Sequence, residues 1–344
     1  ELSRRGARVV VMSHLGRPKG RVVPELSLRP VAGRLAELLG RPVAFAEDCV
    51  GGPAEAAVSR LGDGELLLLE NVRFHPGDEA DDPAFAAQLA ELGDLYVNDA
   101  FAASHRAHAS VVGVAERLPA YAGELMLAEL EALRRALEEP RRPLVAIVGG
   151  AKVSTKAGVL RHLLPRVDSL LIGGAMANTF FKAEGREVGA SLVEDEALEE
   201  AQEVAGTGGD KLVLPVDAIC ARKMESHQET RVFSVDAVEP GWMMLDIGPE
   251  TVRLFTGRLQ GAGTVVWNGP PGAFEIPEFS GGTRALGEAV AASGAYSLLG
   301  GGDTAAAVEQ LGLAGRFSHV STGGGATLEY LEGRQLPGVA VLER

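Results

Sequence analysis

The chain has 344 residues, 46% of them hydrophobic, which is enough for two domains with separate cores. Its formal net charge of −14 excludes nucleic-acid binding through a broad basic face, and no apolar run approaches the roughly 20 residues of a membrane span, so we expect neither partner. Cys49 and Cys220 lie far apart without CxxC spacing, which favours two reduced thiols over a disulfide or a metal site.

The predicted elements alternate between short buried strands and helices along almost the whole chain. Strands are predicted for ten apolar runs: 8–13, 42–45, 65–70, 95–98, 144–148, 169–172, 211–214, 264–267, 296–299 and 319–321. Helices are predicted between them, for example over 28–39, 82–92, 283–292 and 304–310. This alternation predicts α/β architecture, with parallel sheets covered by helices on both faces.

A long amphipathic helix is predicted over 122–139, and it ends in the stiff sequence Pro-Arg-Arg-Pro. Four predicted strands precede this helix and six follow it. We therefore expect a first domain over 1–121, a bridging helix over 122–139, and a second domain over 140–326. A single large sheet with a long crossover helix is the alternative.

Arginines and histidines follow the predicted strands of the first half. His14 and Arg17 come after the first strand, Arg73 after the third and Arg106 after the fourth. Open α/β sheets bind ligands at the carboxyl ends of their strands. Because arginine forks onto phosphate and carboxylate oxygens, the group predicts a pocket for a small, multiply charged anion. For any one arginine alone, a solvated surface salt bridge is the alternative.

Other polar residues in these strand-end loops are less specific. His14, His105 and His108 do not indicate zinc, because acidic co-ligands and an i, i+4 pair are absent. Asn71 and Asn98 are two of only four asparagines in the chain, and both lie in strand-end loops. Their position favours a polar function.

The segment 149–156, GGAKVSTK, connects a predicted buried strand to a predicted helix. Glycines in such a turn let the backbone approach a phosphate, and the start of the helix offers unpaired N–H donors. Two of the six lysines of the chain, Lys152 and Lys156, lie in this segment. The segment is therefore predicted to bind an anion.

Four more glycine-rich turns follow in the second half, at 172–175, 267–275, 299–304 and 321–326. A tight structural turn explains any one of them, but together they favour a nucleotide whose phosphates contact backbone N–H groups. Asp303 is either a helix N-cap or a Mg²⁺ ligand, and Glu275 is either a ribose ligand or an exposed acid. Neither GxxxxGK[ST] nor GxGxxG is present.

No pair of nucleophile and base stands out in the sequence. Phosphoryl transfer needs neither, because positioning and charge neutralisation carry most of its catalysis. A nucleotide on one half and a small anion on the other indicate a kinase. The gap between the halves must exclude water, so we expect them to close about the bridging helix.

Motifs from both halves together resemble the phosphoglycerate kinase family. They occur in family order along the chain: SHLGRP, LENVRFH, VNDAF, HRAH, GGAKVSTK, VWNGP, GGGDT and STGGGA. The resemblance implies two doubly wound parallel-sheet (Rossmann-like) domains joined by a bridging helix, with segment 327–344 returning to the first domain. It also implies direct in-line phosphoryl transfer from 1,3-bisphosphoglycerate to Mg-ADP, which gives 3-phosphoglycerate and Mg-ATP.

The resemblance also implies roles for single residues. The phosphoglycerate would be bound by His14, Leu15, Gly16, Arg17, Arg73 and Arg106. The transferred phosphoryl group would be stabilised by Lys152, Gly323 and Gly324. The nucleotide would be bound by Gly150, Ala151, Lys156, Gly173, Gly174, Leu245, Asn268, Pro270, Glu275, Gly301, Gly302, Asp303 and Thr304. Asp303 would also hold Mg²⁺.

The same resemblance implies a glycolytic enzyme in the cytoplasm, and we expect a monomer. The family opens with a strand bearing an Asp and an Asn, followed by a catalytic arginine, and we expect these residues to precede Glu1. Two alternatives stay open at this point. One is a nucleotide-binding fragment or scaffold without turnover, and the other is a kinase for a different small carboxylate.

Overall fold

A computed structural model describes residues 1–344 and divides the chain into two compact units. The first unit is Glu1–Met126 together with Leu336–Arg344, and the second is Leu127–Gln335. None of the helices is both long enough and apolar enough to cross a membrane.

Strands and helices alternate in chain order. The strands are β1 (Val9–Val11), β2 (Ala44–Phe45), β3 (Leu66–Leu68), β4 (Tyr96–Asn98), β5 (Ala120–Ala122), β6 (Leu144–Val148), β7 (Ser169–Ile172), β8 (Leu212–Val213), β9 (Asp217–Ala221), β10 (Arg231–Ser234), β11 (Met243–Ile247), β12 (Thr264–Asn268), β13 (Tyr296–Gly300) and β14 (His319–Val320). The α-helices are α1 (Arg29–Leu39), α2 (Gly51–Ser59), α3 (Pro76–Glu79), α4 (Pro83–Ala90), α5 (Glu124–Leu137), α6 (Ala157–Leu163), α7 (Met176–Ala183), α8 (Leu198–Gly208), α9 (Pro249–Leu259), α10 (Gly281–Ala292), α11 (Gly302–Gln310), α12 (Gly325–Leu331) and α13 (Pro337–Ala340).

The first unit is built around the central strand β3. Three parallel strands have the order β1-β3-β2, and β4 and β5 form a separate parallel pair. Leu67 belongs to the larger core cluster of this unit, whereas its neighbour Leu68 packs with Leu28, just before α1, and with Ala32 of α1. Successive side chains of a strand point to opposite faces, so the buried residues Leu67 and Leu68 cover both faces of β3.

The second unit contains a six-stranded parallel sheet in the order β14-β13-β12-β6-β7-β8. We can number the strands of this sheet one to six in chain order, as β6, β7, β8, β12, β13 and β14. Read from β8, the sheet order is then 3-2-1-4-5-6. The order reverses between β6 and β12, and every residue of both strands is buried. Doubly wound sheets of this order bind ligands at the reversal point, beyond the carboxyl ends of the strands.

The predicted α/β class with parallel Rossmann-like sheets is confirmed. Two local features differ from the prediction. The second unit also has an antiparallel sheet, β10-β9-β11, that was not predicted. Its strand β10 is mostly exposed and so lacks the buried apolar run from which the other strands were predicted. The helix predicted to begin at residue 122 begins instead at Glu124, because β5 pairs with β4 up to Ala122.

Candidate functional site

Asn71 shapes the loop that carries Arg73 in the first unit. Its side-chain oxygen accepts the N–H of Arg73 at 3.1 Å, and its amide donates to the carbonyls of Leu15 and Leu26 at 2.9 Å each. Asn71 is fully buried. Its polar groups therefore hold the loops after β1 and β3 together, which makes its role a structural one.

The predicted anion-binding residues of the first unit form a cluster of positive charge. Arg73 is buried, and its Nη1 donates to the carbonyl of Gly16 at 3.1 Å. Its Nε is buried without a hydrogen-bond partner and lies 3.7 Å from Glu79 Oε1. Burial and then the charge of Arg106 lower the pKa of Arg73. Burial and then the charge of Arg73 lower the pKa of His14.

Arg17 also contributes positive potential at Arg73, and both Arg17 and Leu15 are exposed. The structure thus brings His14, Leu15, Gly16, Arg17, Arg73 and Arg106 into one neighbourhood of the first unit. Like charges held this close destabilise one another, and a multivalent anion would relieve that repulsion. The arrangement suits a ligand with phosphate or carboxylate groups.

Asp78 is a buried acid beside this cluster that the sequence did not reveal. Its Oδ1 accepts the N–H of Ser110 at 3.1 Å, and its Oδ2 lies 3.5 Å from His108 Nδ1. Burial alone would raise the pKa of Asp78, but the hydrogen bonds from His108 and Ser110 outweigh burial and lower it. Asp78 therefore ties α3 to the segment that contains His108 and Ser110. It lies in the acidic run GDEADD, where nothing distinguishes it from its neighbours.

In the second unit, the turns after β6 and β12 touch at the point where the strand order reverses. The N–H of Gly149 donates to the carbonyl of Asn268 at 3.0 Å. A Cβ on Gly149 would lie 2.2 Å from the carbonyl oxygen of Pro270. Glycine is therefore required here so that two backbone segments can approach each other.

Replacing Gly149 with alanine should disrupt this contact. The expected loss is about 1–3 kcal/mol of unfolding free energy, because the clash is with backbone that cannot move aside, and binding of ADP should weaken as the turn shifts. Thermal unfolding and calorimetric ADP titration measure the two effects. Gly206→Ala is the matched control, since a Cβ on Gly206 in α8 meets nothing within 4 Å.

Lys156, Asn268 and Thr304 form a polar chain across the turns after β6, β12 and β13. Lys156 Nζ donates to Asn268 Oδ1, and Asn268 Nδ2 donates to the carbonyl of Gly300 at 3.0 Å. Thr304 Oγ1 accepts the N–H of Gly269 at 2.7 Å and donates to the same Gly300 carbonyl at 2.9 Å. Burial lowers the pKa of Lys156. Three strand ends are thereby fixed around one lysine.

The start of α11 presents an exposed carboxylate beside this chain. Gly301 is the N-cap residue, with φ of +92°, and Asp303 makes no capping bond, so the N-cap alternative for Asp303 is wrong. Left-handed backbone at Gly301 turns the chain into the helix without a side-chain cap. The nearby charge of Asp303 acts to raise the pKa of Lys156, so the two groups are neighbours. Gly302 and Asp303 are exposed.

A small cleft is lined by Gly174 and Leu245, two of the residues predicted to bind the nucleotide. Its lining residues from three neighbouring segments are Gly174, Ala177, Asn178, Phe181, Met244, Leu245 and Pro271. The N–H of Gly174 donates to the carbonyl of Pro271 at 2.8 Å, and the N–H of Ala273 donates to the carbonyl of Leu245 at 2.9 Å. A Cβ on Gly173 would lie 2.7 Å from the Pro271 ring. Glu275 is exposed further along the same loop.

Asp246 lies beside Leu245 at this cleft, and the sequence analysis did not single it out. Its carboxylate accepts the N–H groups of Ile247 at 2.9 Å and Gly282 at 2.7 Å. Burial raises the pKa of Asp246 to about 7. The residue ties β11 to the start of α10 and so helps to shape the wall of the cleft.

The remaining predicted residues lie in two loops of the second unit. Lys152 is exposed, next to Ala151 and the half-buried Gly150. This loop is anchored where the N–H of Ser154 donates to Glu194 Oε2 at 2.9 Å. In the loop after β14, the N–H of Gly323 donates to Ser321 Oγ at 3.1 Å, and Gly324 has a φ of +52°.

Glu129, on α5, fixes the loop after β14 and was also missed. It is fully buried, and it accepts the N–H and the hydroxyl of Thr322 at 2.7 Å each and His319 Nε2 at 2.9 Å. Burial alone would raise the pKa of Glu129, but the hydrogen bonds from His319 and Thr322 outweigh burial and lower it to about 2. The ionised carboxylate therefore stabilises the fold.

Replacing Glu129 with glutamine should cost about 3 kcal/mol of unfolding free energy at neutral pH, following the size of the pKa shift. The contribution is present above pH 4.5, the ordinary pKa of the group, and is lost as the pH falls towards 2. The stability gap between wild type and variant should therefore close over that range. Denaturant titrations at several pH values measure it. Glu131→Gln, an exposed acid of the same helix, should change stability little at any pH.

Comparisons with known proteins agree along the whole chain. The family model described as phosphoglycerate kinase matches residues 1–334. The phosphoglycerate kinase of Moorella thermoacetica is 57% identical, and the match covers 98% of this chain and 86% of that protein. That of Rubrobacter xylanophilus is also 57% identical, with 99% of this chain and 87% of that protein covered.

Solved structures give the same result. The structure of phosphoglycerate kinase from Coxiella burnetii has a TM-score of 0.91 at 46% identity, covering 99% of this chain and 87% of that one. The enzyme from Pyrococcus horikoshii has a TM-score of 0.87 at 32% identity, covering 99% and 88%. With its motifs, its sheet order and its relatives in agreement, the chain belongs to the phosphoglycerate kinase family.

Proposed function

We propose that this chain transfers a phosphoryl group between 1,3-bisphosphoglycerate and ADP with the residues described above, the acid bound by the first unit and the nucleotide by the second. The observation that carries the proposal is that the two kinds of candidate ligand lie in different units. The clustered guanidinium and imidazole groups belong to Glu1–Met126, whereas the glycine turns at the ends of parallel strands belong to Leu127–Gln335.

For the acid we propose that Arg73 is the central ligand. It is buried, positively charged and has an unpaired Nε, and Arg17, Arg106 and His14 surround it with further donors. Leu15 and Gly16 supply the backbone of the loop between them. A phosphate group and a carboxylate are the two ends of 3-phosphoglycerate, and both accept forked hydrogen bonds from arginine.

For the nucleotide we propose that the base lies in the cleft of Gly173, Gly174 and Leu245, with Glu275 at the ribose. The phosphates would contact the turns of Gly150, Ala151, Asn268, Pro270, Gly301, Gly302 and Thr304, together with Lys156. This assignment is supported by the reversal of strand order between β6 and β12, beside which Lys156 is held.

Mg²⁺ would accompany the nucleotide, and Asp303 suits it. The carboxylate is exposed at the first turn of α11 and makes no capping bond, and Mg²⁺ is usually held by one or two carboxylates plus phosphates and water. When bound, the ion neutralises phosphate charge. The protein's own share is to present an oxygen ligand next to the ammonium group of Lys156.

Catalysis requires no general base from this chain. The attacking oxygen, of a carboxylate or a phosphate, is already anionic, so the main barrier is repulsion between two anionic reactants. We propose that Lys152, together with the backbone at Gly323 and Gly324, stabilises the phosphoryl group during transfer. Direct in-line transfer also requires that water be kept from both ligands.

We propose the domain limits 1–121 with 327–344, and 140–326, with 122–139 as the bridging helix. The compact units Glu1–Met126 with Leu336–Arg344 and Leu127–Gln335 support this division in outline. We also propose that the chain acts as a monomer, because the candidate ligands for the acid all lie in Glu1–Met126 and those for the nucleotide all lie in Leu127–Gln335. A cytoplasmic location is proposed only from the family's place in glycolysis.

The test is a coupled assay with 3-phosphoglycerate, ATP and Mg²⁺. We expect ADP formation that depends on all three, and calorimetry should show one site each for ADP and for 3-phosphoglycerate. ADP binding without turnover would instead favour the scaffold alternative. Turnover with another small carboxylate but not with 3-phosphoglycerate would contradict the assignment of the acid.

A further inference from the structure

Three side chains able to bind a metal meet at the edge of the first sheet, outside the residues assigned to the reaction. Asp48 and Cys49 lie between the end of β2 and the start of α2, and His75 follows the short helical turn after β3. Strands β2 and β3 are neighbours in the sheet. Their carboxyl ends therefore bring His75 together with Asp48 and Cys49, which precede it by 27 and 26 positions in the sequence.

The three groups are close enough to share one ion. One ligand atom from each, a carboxylate oxygen, the Cys49 Sγ and an imidazole nitrogen, lies within 4.8 Å of the other two. His75 Nε2 donates to Asp48 Oδ1 at 2.7 Å. Tetrahedral ligands at zinc distances of about 2.0–2.3 Å lie roughly 3.3–3.7 Å apart. Small side-chain movements would therefore complete such a geometry.

The surroundings hold the side chains of His75 and Asp48 in place. The imidazole of His75 stacks on the ring of Phe85, with centroids 5.2 Å apart and planes inclined by 27°. The N–H of Cys49 donates to Asp48 Oδ1 at 2.7 Å, which fixes that carboxylate. Held rings and carboxylates of this kind are typical of groups that bind metals, because orientation is set before the ion arrives.

Access is one-sided. Cys49 is fully buried, whereas the side chains of Asp48 and His75 are 39% and 33% exposed. An ion would therefore enter between the carboxylate and the imidazole and reach the sulfur at the inner side. Its fourth position would face solvent and take water.

We propose that Asp48, Cys49 and His75 form a binding site for a borderline-soft divalent metal ion of the Zn²⁺ or Co²⁺ type, separate from the Mg²⁺ that accompanies the nucleotide. A set of one sulfur, one nitrogen and one oxygen suits these ions and does not suit Mg²⁺, which prefers oxygen ligands. The proposal departs from the expectation from sequence, which favoured reduced thiols over a metal site because Cys49 and Cys220 lie far apart without CxxC spacing.

Binding of the ion requires two protons to leave the ligand atoms. The Cys49 thiol releases its proton to solvent, and the proton now on His75 Nε2 moves to Nδ1 of the neutral ring, so that sulfur and Nε2 become ligands. The hydrogen bond between His75 and Asp48 is replaced by bonds from both groups to the ion. Because His75 is two residues from Arg73, the bound ion would also tie the end of β2 to the loop that carries Arg73.

Titration of the chelator-treated protein with Co²⁺ tests the proposal. We expect one equivalent to bind with a thiolate-to-cobalt absorption band, and Zn²⁺ to displace it while millimolar Mg²⁺ does not. Cys49→Ser should abolish the band, and His75→Ala should weaken Zn²⁺ binding at least about 100-fold, beyond the 10–100-fold typical of groups that only orient a ligand. Cys220→Ser, at the other buried cysteine, should leave the cobalt absorption band and the Zn²⁺ affinity unchanged.

A second measurement covers variants that fold poorly. Zn²⁺ should raise the thermal midpoint of wild type and of Cys220→Ser but not of Asp48→Asn, which keeps the size of the side chain. The proposal is overturned if wild type shows no thiolate band, or if Zn²⁺ binds equally to wild type and to all three variants of the cluster. Because metal binding is read directly, the outcome is independent of kinase activity.

Discussion

Replacing Arg73 with alanine is expected to weaken binding of 3-phosphoglycerate by roughly 30-fold to several-thousand-fold, while the affinity for ADP stays unchanged. Removing one partner of a buried, hydrogen-bonded charge pair costs about 2–5 kcal/mol. Arg73 would form such a pair with the bound acid, because it is buried, lies among other positive charges and has a buried Nε without a hydrogen-bond partner. Calorimetric titration of both ligands gives the two affinities.

Arg73 also supports its own loop, since its Nη1 donates to the carbonyl of Gly16 at 3.1 Å. Two companion variants separate that role from ligand binding. Arg17→Ala removes an exposed arginine of the same cluster and should weaken acid binding without loss of stability. Arg21→Ala removes an exposed arginine four residues after Arg17 and should change neither acid binding nor stability. Unchanged acid affinity in Arg73→Ala would favour a kinase for a different carboxylate.

The features predicted correctly from the sequence are those with a local physical signature. The buried strands Leu144–Val148 and Ser169–Ile172 have the predicted limits, because fully apolar runs between turn residues leave few alternatives. The glycine turns were visible because close backbone approach, as between Gly149 and Pro270, excludes a Cβ. Because the strands are parallel, the turns that follow them were expected to lie together at one edge of the sheet.

The features that were missed depend on tertiary contacts. Glu129 reads as one more charge on an amphipathic helix, and only the fold shows that it meets Thr322 and His319, more than 180 residues away. Asp246 ends in a buried position because Gly272 and Gly282 leave room for its carboxylate. The grouping of Asp48 and Cys49 with His75 likewise appears only when β2 and β3 pair.

The second large effect is expected at Lys156. Replacing it with methionine keeps most of the length of the side chain but removes its charge, and the affinity for ADP should fall roughly 10- to 150-fold. Hydrogen bonds to charged groups contribute about 1.5–3 kcal/mol, and Lys156 is held in place to make one. Its Nζ donates to Asn268 Oδ1, and burial, which lowers its pKa, shows that the ammonium group is partly desolvated.

Asp303 makes the loss larger in the absence of Mg²⁺. Without the neighbouring ammonium group, the negative charge of Asp303 would meet the nucleotide phosphates unbalanced, so ADP binding measured without Mg²⁺ should suffer most. Lys182→Met is the matched control, because Lys182 is an exposed lysine of the same unit that pairs with Asp195 at 2.7 Å. Lys182→Met should leave the affinity for ADP unchanged. Both variants should leave the affinity for 3-phosphoglycerate unchanged. Equal ADP affinity in wild type and Lys156→Met would place the nucleotide phosphates elsewhere, since no anion can lie beside Lys156 without gaining from its charge.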